Sequence, residues 1–140
     1  MEDEDTVPVS VKIPFLSNLS VLENIKLVAE VRERSSNNKV QERAMEKLRA
    51  LEMEELSATH FTSLDDLHYF WVQIIRAHML EECRMVIDRP FVFVPGQRNM
   101  DFILQALERL NIDFDRVTII ELVSEQHNFR EDICDITKWQ

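Results

Sequence analysis

From Val7 onward the odd positions Val7, Val9, Val11, Ile13 and Phe15 are all apolar, and Pro8, Ser10, Lys12 and Pro14 stand between them. An apolar residue at every second position turns one side of an extended chain toward a core, which predicts a strand here. Each proline removes a ladder donor, so the element reads as an edge strand or an extended arm. Ser20 with Glu23 forms a capping box, and Leu22, Ile25, Val28 and Ala29 then recur at helical spacing as far as about Arg34. The polar run Ser35-Ser36-Asn37-Asn38 breaks that helix. A second helix is predicted over 39–53 on Val40, Ala44, Leu48 and Leu51, with Glu42, Arg43, Glu46, Lys47 and Arg49 on a solvated surface.

Between Leu56 and Ile75 the residues are largely Thr, Phe, Tyr, Trp, Val and Ile, interrupted by Ser63-Leu64-Asp65-Asp66. Strand-forming side chains around a turn-forming tetrapeptide predict a hairpin. Helix returns from Ala77 to Ile87 through Met79, Leu80, Cys83 and Val86. Phe91-Val92-Phe93-Val94, ended by Pro95-Gly96, reads as a strand buried on both faces. Asn99 then caps a helix on Phe102, Ile103, Ala106, Leu107 and Leu110, Val117-Thr118-Ile119-Ile120 is a second buried strand, and Ser124 opens a last helix through Phe129, Ile133 and Ile136. Strand, helix, strand, helix implies parallel strands joined by a right-handed crossover. The expected class is α/β, with α+β as the alternative: an N-terminal edge strand, two helices, a hairpin and a βαβα unit. Residues 1–6 form a disordered acidic start and 7–140 a single interaction domain.

Composition narrows the chemistry. One glycine in 140 residues excludes the loops that need several glycines to bring backbone amides onto a phosphate, so no nucleotide and no other cofactor is expected. With 26 acids against 16 bases the formal charge is −10, which repels phosphate backbones and anionic lipid, so direct nucleic-acid binding is disfavoured and no membrane partner is expected. Cys83 and Cys134 are too few for a disulfide-stapled domain, the acidic start is unlike a cationic leader, and no apolar run approaches a membrane span. An intracellular setting, cytoplasmic or nuclear, is expected, where the sequon Asn18-Leu19-Ser20 is silent.

No Cys-x-x-Cys or His-x-x-x-His pair is present, and His78 and Cys83 on one helix would stand about 140° apart, so no metal site is expected. Asp65-Asp66, Glu81-Glu82 and Glu131-Asp132 are sequence neighbours, which diverge on regular structure and read as solvated surface. Both cysteines lie on apolar stripes, so no catalytic residue is assigned; a small hydrolase using Cys83 with a histidine is the third-ranked reading. His68-Tyr69-Phe70-Trp71 is the densest aromatic group. On a strand it would send Tyr69 and Trp71 to one side, into the core or onto a recognition surface.

Residues 90–107, from Pro90-Phe91-Val92-Phe93-Val94-Pro95-Gly96 to Gln105-Ala106-Leu107, with Arg130-Glu131-Asp132-Ile133 further on, resemble the start of the second RecA-like lobe of DEAD-box helicases. That resemblance implies a partial lobe over 90–140 without Walker motifs or ATPase activity. Ala58-Thr59-His60-Phe61-Thr62-Ser63 through Phe70-Trp71-Val72-Gln73-Ile74 is similar to the first strands of extended Tudor domains. Together the two imply a scaffold of a germline small-RNA (piRNA) silencing pathway that contacts RNA or RNA-binding proteins, with Arg84, Arg89 and Arg98 as its cations. The reading made from the residues themselves comes first: a non-enzymatic interaction or scaffold module that binds a protein partner, or a second copy of itself, through its edge strand or an aromatic or apolar groove. Val9, Val11, Ile13, Tyr69 and Trp71 are the residues assigned to that contact.

Overall fold

The structure is a computed structural model that describes residues 5–33, 37–132 and 134. Three strands, β1 (Thr6–Val9), β2 (Arg84–Asp88) and β3 (Val117–Ile120), form one sheet in the order β1-β2-β3 with both pairs parallel. The helices are α1 (Val21–Glu33), α2 (Asn37–Ala50), α3 (Asp66–His78), α4 (Pro90–Phe93) and α5 (Asp101–Arg109). The class is α/β, as expected.

Where the local signal was strong, the element stands where it was expected. Ser20 Oγ accepts from the Glu23 amide and Glu23 accepts from the Ser20 amide, so the capping box is formed and α1 starts at Val21. α2 buries Val40, Ala44 and Leu48 completely, while Arg43 turns outward to pair with Glu33 of α1. It opens at Asn37, so Asn37 and Asn38 belong to its first turn rather than to the break. α5 and β3 also lie where periodicity placed them, although β3 is an edge strand, half-exposed rather than buried.

The middle of the chain differs. Residues 66–78 are helix, not hairpin: Leu67, Phe70, Trp71 and Ile74 recur at the i, i+3, i+4, i+7 spacing that decides between the two periods, and Asp65 accepts from the His68 amide to cap the helix. The strands behind the likeness to extended Tudor domains are therefore a helix. α3 ends at His78, and β2 occupies the stretch expected to continue a helix to Ile87. Pro90 then fixes the first turn of α4, so Phe91–Phe93 is helical where a buried strand was expected, and the helicase-like segment opens with helix rather than strand. The first strand stops at Val9; residues 11–13 turn away. Asp5 and Thr6, assigned to a disordered start, are in place, since the Arg84 amide donates to the Asp5 carbonyl and Thr6 belongs to β1. Residues 123–128 form a 3-10 segment, and the expected continuation through Ile133 and Ile136 lies outside the described residues, as does Trp139.

One core joins all these elements. It runs from Val9, Met85 and Ile87 of the sheet through Phe70, Ile74 and Ile75 of α3 to Phe102, Ile103 and Ala106 of α5. A chain of aromatic contacts crosses it: Phe70 lies 5.1 Å from Phe93 and 5.2 Å from Phe102, and Phe91 lies 5.4 Å from Phe102. The loop from Ser10 to Ser20 is pinned over this core. Gln73 and Arg76 of α3 both donate to the Ile13 carbonyl, and the Arg76 guanidinium stands 4.7 Å over the Phe15 ring.

Candidate binding surface on the sheet

The register determines which residues share a face. Thr6 with Arg84, Pro8 with Val86 and Thr118, and Asp88 with Ile120 form rows on one side; Val7 with Met85 and Val117, and Val9 with Ile87 and Ile119, form rows on the other. The second side belongs to the core. On the first, Thr6, Pro8, Thr118 and Ile120 are exposed and Val86 is half-buried. Arg84 and Asp88 are half-buried on the same side, so the face is mixed, with Pro8, Val86 and Ile120 as its apolar residues. Purely parallel sheets are ordinarily covered on both faces. Beyond β3 the apolar exposure continues, with Ile120 at 52%, Leu122 at 56% and Val123 at 63%.

At the carboxyl ends of the strands, where an α/β sheet ordinarily holds its ligand, the side chains are engaged with one another. Ser10 Oγ donates to Asp88 Oδ2 at 3.2 Å, and the Asp88 carboxylate also pairs with Arg89 at 3.5 Å. Glu121 accepts from the amides of Phe91 and Leu122. Arg89 takes a left-handed backbone conformation with φ of 48°, and its amide donates to the Ile120 carbonyl, which carries the sheet pairing one step past Asp88 before Pro90 turns the chain. The Asp88 carboxylate is thus held between the Ser10 hydroxyl and the Arg89 guanidinium. No group of three or more metal-ligating side chains occurs among the described residues.

The five residues assigned to partner binding are not brought together. Val9 is fully buried in the core. Trp71 is buried on α3, and its indole N–H donates to the Phe102 carbonyl at 3.0 Å. Tyr69, on α3, packs against Phe15 and Phe61 while its hydroxyl takes the Gln73 amide, so it holds the pinned loop rather than forming a free recognition surface. Only Val11 and Ile13 are exposed, and they lie in the turn after β1. Ile120, Leu122 and Val123, exposed at the end of the sheet, are not among the residues assigned from the sequence. Their signal is that apolar residues continue past the strand with Glu121 as the single interruption.

The cations of the RNA reading do not form a free cluster: Arg84 donates to the Asp115 carbonyl, Arg89 pairs with Asp88, and Arg98 is exposed. His78 and Cys83 do line one shallow pocket with Met85, Asn111 and Arg116. Burial pushes the Cys83 thiol above its ordinary range, which disfavours the thiolate that a nucleophile requires.

His78 has a measurable consequence of its own. Burial, together with the Lys47 ammonium 3.2 Å from its Nδ1, lowers its pKa to about 4 from 6.5. A histidine that folds neutral contributes stability above its unfolded pKa and loses it as pH falls through the folded value. Between pH 6.5 and 4 the chain is expected to lose on the order of 2 kcal/mol on this account, after allowance for partial solvent screening. The urea midpoint of His78→Gln should fall less across that interval than that of the parent chain; an equal fall would show that other groups carry the acid sensitivity.

No helix among the described residues is long and apolar enough to cross a membrane. No protein-family model matches the sequence, and no curated protein matches it. The fold is similar to a solved chain of a metal-chelate type ABC transporter in an inward-facing conformation, with a TM-score of 0.62 at 24% identity over 84% of this chain and 47% of that one. The present chain therefore spans about half the length of that transporter chain.

Proposed function

We propose that this chain is a non-enzymatic α/β module that binds a partner protein through the bare side of its sheet. The observation that carries the reading is the uncovered face itself: Pro8, Val86, Thr118 and Ile120 lie in adjacent rows of a parallel sheet with nothing among the described residues packed over them. Burying such a surface returns roughly 25 cal/mol per Å² of apolar area, enough to drive association when a partner fits it. Scaffold or adaptor is the role that follows, because the carboxyl ends of the strands are closed by Ser10, Asp88, Arg89 and Glu121 instead of opened by glycine.

A second reading has one observation behind it. The neighbour of similar fold is a transporter chain, and Asp88 ends a buried parallel strand, where P-loop ATPases keep the acid that holds Mg²⁺. The Arg89 pairing and the single glycine weigh against it. Titration calorimetry with Mg·ATP, alongside a phosphate-release assay, separates the two: neither binding heat nor turnover is expected, and saturable binding or turnover would overturn the non-enzymatic reading. A photo-reactive residue at Ile120 should yield one discrete cross-linked species in extract, and the same group at the exposed Val31 of α1 should not. Equal labelling from both positions would count against the sheet face.

A further inference from the structure

We propose that the outer edge of β3 takes up an extended segment of a partner protein as a fourth strand, and that this segment is rich in valine, isoleucine and threonine at its centre and carries lysine or arginine at both ends. The proposal rests on the binding-module reading and adds the edge, the conformation and the charge of what binds.

The sheet has two edges, and they are built differently. β1 contains Pro8, which has no N–H to offer and blunts that side. β3 is Val117-Thr118-Ile119-Ile120, four β-branched residues with no proline, lysine or other charge among them. Strands of this composition are ordinarily interior ones, yet β3 ends the sheet, and among the described residues nothing pairs with its outer backbone groups. An unprotected edge of strongly strand-forming residues is a template for an incoming strand, with main-chain hydrogen bonds giving affinity and alternate side chains giving selectivity. Thr118 and Ile120 stand exposed on the bare face for cross-strand pairing, while Val117 and Ile119 offer half-buried positions on the other.

Charge selects the occupant. Asp113 and Asp115 precede β3 and Glu121 and Glu125 follow it. The one cation at its start, Arg116, donates to the Glu82 carbonyl on the far side of the strand turn. An added strand therefore meets carboxylates at both ends, within a chain whose formal charge is −10. The same acids oppose a second copy of this chain. A two-fold pairing of β3 with itself must be antiparallel, and it brings the acids that flank the strand in one copy, Asp113 and Asp115 before it and Glu121 and Glu125 after it, toward those of the other. Like charges brought together across an interface are unfavourable, so the occupant is a basic strand from a different protein.

The test uses the full chain and labelled synthetic peptides, read by fluorescence anisotropy and by hydrogen exchange. The parent peptide alternates valine and threonine and ends in two lysines on each side; a second has glutamates in place of the lysines; two more are the basic peptide N-methylated at every second residue, in the two alternate phases. The basic peptide should bind saturably and slow exchange at the amides of 117–120. The acidic peptide and one of the two methylated phases should each bind at least about tenfold more weakly, since one loses the charge match and the other its hydrogen bonds to the edge. Asp115→Lys should weaken the basic peptide severalfold while the unfolding midpoint of the chain stays in place. No binding of the basic peptide, equal affinity for the acidic one, full affinity of both methylated phases, or protection confined to residues away from β3 would each overturn the edge assignment. The nucleotide and cross-linking experiments decide the binding-module reading independently, so the two failures are distinguishable.

Discussion

Phe70→Ala is expected to leave the chain close to unfolded at room temperature. Phe70 has no exposed surface and its ring meets Phe93 of α4 and Phe102 of α5, so one side chain ties α3 to both elements that flank the carboxyl end of the sheet. Truncating a buried phenylalanine costs about 3–5 kcal/mol, the lost transfer energy of the ring plus a cavity that the neighbours fill only in part. Whole domains are stable by about 5–15 kcal/mol, so that loss removes much or all of the margin. Urea and thermal unfolding followed by circular dichroism measure it directly. Val92→Ala is the control: Val92 stands between Phe91 and Phe93 in the sequence but is exposed, and its loss should stay within about 0.5 kcal/mol. Comparable losses from the two variants would mean that the aromatic chain is not the centre of the core.

Asn24→Ala is expected to cost about 1–3 kcal/mol, more than a surface asparagine, because the side chain closes a loop from inside a helix. Asn24 is buried on α1; its Oδ1 accepts from the Leu16 amide at 2.7 Å, and its Nδ2 donates to the carbonyls of Leu16 and Ser20, both at 3.0 Å, and of Leu19. Alanine leaves the Leu16 amide without a partner, while the carbonyls of Leu16, Leu19 and Ser20 keep the Leu19 amide, His60 and the residue-24 amide. One buried unsatisfied group carries a penalty of about 1–3 kcal/mol, moderated where water can enter. Asn24→Asp makes the sharper comparison. It keeps an acceptor for the Leu16 amide but sets a carboxylate against three carbonyl oxygens, so it should be at least as destabilising at pH 7 and should recover as the acid protonates. Hydrogen exchange at Leu16, fast in both variants and slow in the parent, would locate the effect in the loop; slow exchange in Asn24→Ala would disprove that role.

That loop shows how the sequence and the structure divide the information. Nothing near Asn24 in the chain marks it as special, since asparagine is an ordinary residue on a helix surface. Its importance depends on residues 16–20 folding back over α1, a contact among groups that only a closed loop brings within hydrogen-bond distance. Ser20 and Glu23, by contrast, satisfy each other three residues apart, and their capping box was legible at once.

The same division separates the elements. α1, α2, α5 and β3 follow from periodicity over a few residues, because the interactions that form them are local. The strand-forming composition of α3 points to a hairpin although its apolar spacing is helical; propensity is a weak prior, and burial of one face against the core outweighs it. β2 and α4 were exchanged for helix and strand because a short apolar run fits either period, and the decision lay with partners remote in sequence: β1 and β3 take both edges of β2, and Pro90 closes the strand.

The sequence by itself determined the class, the absence of a glycine-lined phosphate loop and the acidic charge, since each depends on residue identity alone. It also supplied both halves of the candidate surface without joining them: a proline in one edge strand and none in the other, and apolar residues that continue past Ile120. Only the tertiary structure decided that Val9, Tyr69 and Trp71 face inward, that Pro8, Val86 and Thr118 meet in one row, and that β3 is an edge. The physical reason is that a face and an edge are properties of pairing between segments roughly thirty to eighty residues apart, and register across such distances is set by the packing of the whole core rather than by any window of the chain.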